Sequence, residues 1–237
     1  MKTILALPLV LLTSAPVFAE APSFFSTATG NVGVYSEYVF RGITQSDENP
    51  ALQGTLNFGQ STGVYAGAWG SNVDFNDGDE AHLELDLYGG YKWPLGPVTL
   101  DVGGVYYAYP GADSNLDYDY VEGKVGISGT LHTATMGLNI FVSPDYFAGS
   151  GTGVYANLYA SAPIAGTGLS ANIAINHQWI DDAAAFGVPD YADWNLGVSY
   201  TWEKFTFGLN YYDTNLSKAE CADGCEARVI GSMTRSF

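Results

Sequence analysis

Three histidines, two cysteines and a strongly acidic complement are the side chains here whose chemistry could do work. Hydrolysis would need a serine beside a histidine, with a third polar group holding the ring. His177 shares a face with Trp179 in "NIAINHQW" and has no serine partner, His132 falls in a short turn, and His82 follows an acidic loop. The three do not converge, so the chain is not expected to be an enzyme, and a lipid-acting hydrolase is the remote alternative. The run "DFNDGDEAH" at 74–82 resembles a calcium loop, but an EF-hand needs Gly sixth and Glu twelfth. Here Gly78 comes fifth and Leu85 twelfth. No metal site and no cofactor is expected, beyond nonspecific divalent binding by loop acids.

The cysteines, in "CADGC", point elsewhere. The chain opens "MKTILALPLVLLTSAPVFA", with one early cation (Lys2), an apolar run from Ile4 to Leu12, and Val17 and Ala19 at positions a signal peptidase accepts. That pattern is a secretory signal peptide, residues 1–19. A spanning helix would need about 20 apolar residues, and this run stops at Pro16. An exported cysteine pair meets an oxidising periplasm, so Cys221 and Cys225 are expected to form a disulfide.

Charge excludes a class of partner. The chain carries 25 acids against 8 bases, a formal −17, and loses only Lys2 with the signal peptide. Nucleic acid is not an expected partner, because phosphate binding needs clustered Lys and Arg. Charged residues make up only 14%, while there are 29 glycines and a 14% aromatic share. This composition favours strands and tight turns over helices.

The element that would position these groups is a strand of about ten residues. In "HLELDLYGGYKW" Leu83, Leu85, Leu87, Tyr91 and Trp93 share one face, and His82, Glu84, Asp86, Tyr88 and Lys92 the other. Such alternation marks a strand with unlike faces. It recurs along the chain and predicts twelve strands, beginning with "NVGVYSEYVFR" at 31–41. Short connections at 60–63, 94–97, 130–133, 163–168 and 203–204 alternate with longer ones at 42–50, 74–81, 110–117, 143–151, 180–192 and 213–226. Strict alternation of short and long connections is the rhythm of an outer-membrane barrel, with tight periplasmic turns and longer extracellular loops. The expected fold is therefore all-β, a transmembrane antiparallel up-and-down β-barrel of twelve strands. Residues 20–28 form a short periplasmic segment and 29–237 a single barrel domain. Tyr38, Phe40, Tyr91, Trp93, Trp179, Trp194 and Trp202 are expected near the headgroups, where amphipathic rings are favoured.

The chain ends on an aromatic residue, Phe237. A terminal Phe of this kind resembles the signal by which the barrel-assembly machinery recognises its clients. Three further stretches carry a more specific resemblance: "SEYVFRGITQSDENPALQG" at 36–54, "GVYAGAWGSNVDF" at 63–75 and "ELDLYGGY" at 84–91. They are similar to the N-terminal motifs of the TorF family of proteobacterial porins. The resemblance implies an outer-membrane β-barrel and a channel, without a substrate.

The interior of such a barrel is where function should be legible. Glu37 and Arg41 are expected on one polar face of the first strand, about 13 Å apart by the usual rise. Glu84, Asp86, Lys92, Asp101, Glu122 and Lys124 are expected to line the lumen with them, leaving it net acidic by two. Loop acids, among them Asp47, Asp74, Asp193, Glu220 and Asp223, are expected to crowd the outer mouth, and a mouth of one sign concentrates the opposite ion. These observations predict an outer-membrane porin for passive diffusion of small solutes or ions, preferring cations or neutral solutes. The alternative is a closed structural barrel, its acids bridged through divalent ions to lipopolysaccharide. Expected partners are membrane lipid, lipopolysaccharide, the assembly machinery and the small solutes themselves.

Overall fold

The computed structural model describes residues 25–76, 78 and 81–237. The signal peptide at 1–19 and three acids of the 74–82 loop, Asp77, Asp79 and Glu80, lie outside the described residues.

The strands are β1 (Thr27–Tyr35), β2 (Val39–Phe40), β3 (Ile43–Thr44), β4 (Ala51–Gly59), β5 (Val64–Asn72), β6 (Leu83–Leu95) and β7 (Val98–Ala108), followed by β8 (Tyr120–Leu131), β9 (Ala134–Ser143), β10 (Gly153–Ile164), β11 (Leu169–Ile180), β12 (Tyr191–Trp202), β13 (Phe205–Thr214) and β14 (Arg228–Ser236). Among the described residues twelve of them, β1 and β4 to β14, close into one antiparallel barrel. Neighbours in sequence are neighbours in space, and β1 closes the ring by pairing with both β4 and β14. Closure leaves no unpaired edge, which is what allows a sheet to stand in a medium that cannot hydrogen-bond its backbone.

Every barrel strand but β5 exposes large apolar side chains. Val32 and Val34, Leu83, Leu85 and Leu87, Leu196 and Val198, Leu209 and Tyr211 are all exposed on the outer face. Water would make such a continuous apolar belt unfavourable, and hydrocarbon would not. Trp93, Trp179 and Trp202 also stand exposed on this face. Tyr106 and Tyr211 do the same near the long-loop end, each donating a hydrogen bond at 2.7 Å to a rim carboxylate, Asp119 and Asp213.

Five tight turns and six longer connections alternate, as the spacing predicts. The turn between β12 and β13 is two residues, Glu203 and Lys204, and that between β8 and β9 is His132 and Thr133. The twelve-strand order agrees with the expectation. Three details differ. First, β1 begins at Thr27, inside the segment read as preceding the barrel, and ends at Tyr35 rather than at Arg41. Second, residues 38–45 form a separate hairpin, β2–β3, with Phe40 opposite Ile43. Its two turn residues, Arg41 and Gly42, both have positive φ, 49° and 81°. A two-residue turn of that hand folds a hairpin sharply, so "FRG" folds the chain back on itself after the first strand has ended at Tyr35, although the alternation runs on through it. Third, Tyr38 and Phe40 ride on this hairpin and pack inward: Tyr38 is buried, and Phe40 lies against the core cluster. They are not part of an outer aromatic belt.

The core is inside the barrel and confined to its long-loop third. Tyr38, Tyr107, Tyr109, Tyr120 and Tyr146 are buried there with Val73 and Ala81, and Tyr191 and Ile180 continue the layer on the other side. Interior side chains nearer the short turns, such as Asn57, Asp101, Asn139 and Asn210, are only half-buried.

Candidate functional site

The hairpin β2–β3 places one side chain across the lumen. In the ring of strands β1 and β4 lie opposite β9 and β10, and Arg41, carried between β1 and β4, reaches to that far wall. Its Nη2 donates to Glu122 Oε2 of β8 at 2.6 Å, and its Nη1 to Gln178 Oε1 of β11 at 2.7 Å. The guanidinium also stands 4.2 Å from the centroid of Tyr155, within range of a cation–π contact. Tyr107 donates to the same oxygen, Glu122 Oε2, at 3.0 Å, and Glu122 Oε1 is buried without a hydrogen-bond partner. Side-chain exposure is 4% for Arg41 and 0% for Glu122, so the pair forms a dry crossbar. Gly42 makes the approach possible: a Cβ there would meet Thr214 Cγ2 at 2.6 Å and Asp193 Cβ at 2.8 Å.

The expectation that Glu37 and Arg41 share a strand face is therefore corrected, because the hairpin turn sends them to different partners. Glu37 pairs with Arg228 of β14, which also reaches Glu226 at 3.2 Å and Glu48 at 3.5 Å. Glu84 and Asp86 sit inward on β6 as neighbours one pleat apart. Tyr38 donates to Glu84 Oε1 at 3.3 Å, while Glu84 Oε2 and Asp86 Oδ1 are buried without a hydrogen-bond partner. Further toward the short turns Lys124 pairs with Asp101 at 2.8 Å, Tyr65 donates to the other oxygen of Asp101 at 2.8 Å, and Lys92 lies 5.0 Å from the Tyr65 ring. These charges crowd one side of the barrel, β6 to β8.

The opposite wall is built from amides, which the sequence reading did not single out. Asn139, Asn157, Asn176 and Asp193 face one another in register across β9, β10, β11 and β12. Each asparagine donates to the next residue of the row, at 3.1, 2.6 and 2.7 Å. Below that row Asn172 donates to Asn195 at 3.3 Å and to Asn210 at 3.1 Å. The second contact passes over Gly197, where any Cβ would collide with Asn210. The sequence carries the signal, since these residues fall on the inward parity of their strands, but an uncharged amide adds nothing to a count of lumen charges. Asp193, expected among the loop acids, belongs to this wall: it shares the inward face with Asn195 and accepts from Tyr155 at 3.1 Å. Counting it and Arg228, the described interior residues include six acids (Glu37, Glu84, Asp86, Asp101, Glu122, Asp193) and four bases (Arg41, Lys92, Lys124, Arg228), so the formal balance remains acidic by two.

The remaining expected positions lie at the two ends. Cys221 and Cys225 are disulfide-bonded in the last long loop. Phe237 is exposed on the outer face at 39%, and its backbone closes the seam with Gly30 by hydrogen bonds of 3.0 and 3.1 Å. Its ring occupies the space that a Cβ on Gly30 would need. His177 lies tilted against Trp179 on the outer face with centroids 4.3 Å apart, while His82 and His132 are exposed in connections. Among the described residues no three His, Cys, Asp or Glu side chains are grouped to hold a metal.

Residues 19–237 match the model of a family described as bacterial protein of unknown function, Gcw_chp. No curated protein matches the chain in sequence. Among solved structures it resembles an outer membrane channel from Pseudomonas putida F1 at 14% identity, with 92% of this chain and 100% of that one aligned and a TM-score of 0.56. It also resembles a membrane protein crystallised in meso, at 13% identity over 89% of this chain and 83% of that one, with a TM-score of 0.54. At such identities the likeness concerns the fold.

Proposed function

We propose that this chain, which belongs to the Gcw_chp family of bacterial proteins of unknown function, is an outer-membrane channel for small solutes, narrowed by the Arg41–Glu122 crossbar. The observation that carries the reading is the pairing of a continuous apolar exterior with a hydrogen-bonded polar interior inside a closed ring of twelve strands. Eight strands leave room only for side chains and sixteen leave a water-filled pore, so at twelve the outcome depends on what fills the lumen. Here the long-loop third is filled and the rest is lined by half-buried amides and ion pairs. Long loops face outward and short turns the periplasm, residues 1–19 direct export, and Phe237 is read by the assembly machinery. The motifs at 36–54, 63–75 and 84–91 ally the chain with the TorF porins. With an interior acidic by two and an acidic mouth, passage favours cations or neutral solutes over anions.

The crossbar also favours a second reading, a closed barrel whose interior serves stability alone. Conductance across a planar bilayer decides between them. Discrete channels with a reversal potential on the cation side, weakened in Glu84→Gln with Asp86→Asn, support the channel. Anion preference refutes the selectivity, and silence both in the wild type and in Arg41→Met with Glu122→Gln supports the closed barrel.

A further inference from the structure

The long loops enclose a cavity of about 720 Å³ above the crossbar, a volume within the range of small-molecule sites. Its walls are aromatic: Phe75, Tyr109, Tyr118, Tyr146, Phe147 and Phe186 all line it. The rings brace one another. Tyr118 and Phe147 stack at 4.4 Å, Phe75 stands edge-on to both at 5.4 and 5.5 Å, and Tyr146 meets Phe186 at 5.4 Å. Rings locked in this way present fixed faces and edges and lose little freedom when a guest enters.

The rim is acidic, and among the described residues the only base paired with it is Arg228, from below. Asp47, Asp74, Glu220 and Asp223 line the cavity, as do Glu48 and Glu226, which are engaged by Arg228 from below. No Lys, Arg or His is among the described residues lining it. Glu220 accepts hydrogen bonds from Ser217 N at 2.9 Å and Ser217 Oγ at 2.7 Å, which hold its carboxyl below the usual range and keep it ionised. An anion entering here meets only like charge. A neutral solute gains nothing from the rim, and among the described residues no three ligands are grouped for a bare metal ion. A cation with an apolar body gains from both parts, because ring faces attract cations and apolar surface together.

We propose that this vestibule is a binding site for small organic ammonium compounds, with the aromatic walls holding the alkyl body and the rim carboxylates the charge. This deepens the channel reading, since it names the solute class presented to the crossbar, but its test needs no membrane.

The test is isothermal titration of the folded barrel in detergent with choline and with 3,3-dimethyl-1-butanol, its neutral isostere. The expected result is that choline binds at least about tenfold more tightly than the isostere, the factor worth roughly 1.4 kcal/mol. Asp74→Asn with Glu220→Gln should weaken choline and leave the isostere unchanged. Phe75→Leu keeps an apolar side chain and removes the ring, and should weaken choline by about tenfold. Equal binding of the isostere, tighter binding of glucose or acetate, or no binding of choline at 10 mM would each overturn the proposal. If Phe75→Leu does not fold, as read by its heat-dependent gel mobility, the choline and isostere comparison on the wild type decides alone. A barrel that binds choline and conducts nothing refutes the channel reading and leaves this one standing.

Discussion

Removing Arg41 tests both what holds the upper barrel together and what narrows it. Arg41→Ala takes away the partner of a carboxylate with 0% side-chain exposure, leaving Glu122 with one hydrogen bond, from Tyr107 at 3.0 Å, and an Oε1 that already has none. Breaking one side of a buried pair costs about 3–5 kcal/mol, whereas replacing both charges by groups of similar shape is close to neutral. Arg41→Ala should therefore lower the unfolding midpoint of the detergent-folded barrel clearly, and Arg41→Met with Glu122→Gln should restore most of the loss. Conductance should rise in both variants, because both remove the bar across the lumen. Selectivity should separate them. In Arg41→Ala the crossing point changes from a neutral pair to one uncompensated carboxylate. At about 5 Å and an effective dielectric of about 20 that carboxylate attracts a passing cation by roughly 3 kcal/mol, a ceiling of about a hundredfold on the gain in cation permeability, with anions disfavoured besides. The double variant leaves no charge at that point and should keep the wild-type ratio. The assay is single-channel current and reversal potential under a salt gradient. Arg41→Ala channels no larger and no more cation-selective than wild type would refute the assignment of the crossbar as the constriction.

Deleting Phe237, or filling its space with Gly30→Ala, where a Cβ would lie 2.6 Å from the ring and 2.8 Å from Thr55 O, should leave export intact and slow assembly, so that unfolded chain accumulates in the periplasm; normal membrane levels of both variants would make the terminal ring incidental. Epitope tags at Asp113, Asp182 or Ala222 should be reached on intact cells and tags at Thr62, Gly96 or Gly166 should not, and labelling of the second set would invert the topology. The disulfide closes a loop of only four residues' separation, worth about 2 kcal/mol of chain entropy, so Cys221→Ser with Cys225→Ser should raise hydrogen exchange in residues 215–227 and lower the barrel's stability by no more than that amount. The carboxyl of Glu220 lies below its usual range because Ser217 donates to it, so the order it gives that loop should be complete above the ordinary glutamate pKa and be lost as pH falls through the folded value; protection factors in 217–220, taken relative to the intrinsic rate at each pH, that stay unchanged from pH 7 to pH 3 would contradict this.

How much of this was legible beforehand follows from what a period of two can carry. Parity assigns a face, so the outward Leu83, Leu85 and Leu87 and the inward Glu84 and Asp86 could be read directly, as could the number of strands and the alternation of turns. Parity says nothing about height along the barrel. Lys124 and Glu122 are two residues apart on one face, yet Lys124 pairs with Asp101 beside the half-buried chamber while Glu122 is sealed in the packed layer. Height follows from register, which is fixed by where each turn falls.

Parity also fails where the chain leaves the sheet while its alternation continues. The run from Ser36 to Arg41 keeps the pattern of a strand, and only "RG" at 41–42, two residues able to take positive φ together, marks the hairpin that turns the chain into the lumen. That one turn moves Tyr38, Phe40 and Arg41 from an imagined wall to the interior and creates the crossbar. The amide wall was hidden for a different reason: asparagine adds nothing to a charge count, yet in a lumen its paired donor and acceptor let Asn139, Asn157 and Asn176 satisfy one another in a row. A barrel of this size can therefore hold two kinds of polar lining at once. Ion pairs on β6 to β8 lock side chains against each other, while the amides on β9 to β13 leave hydrogen-bonding capacity for a guest. A solute that passes Arg41 would be expected to travel along the amide side, where no charge has to be pulled from its partner.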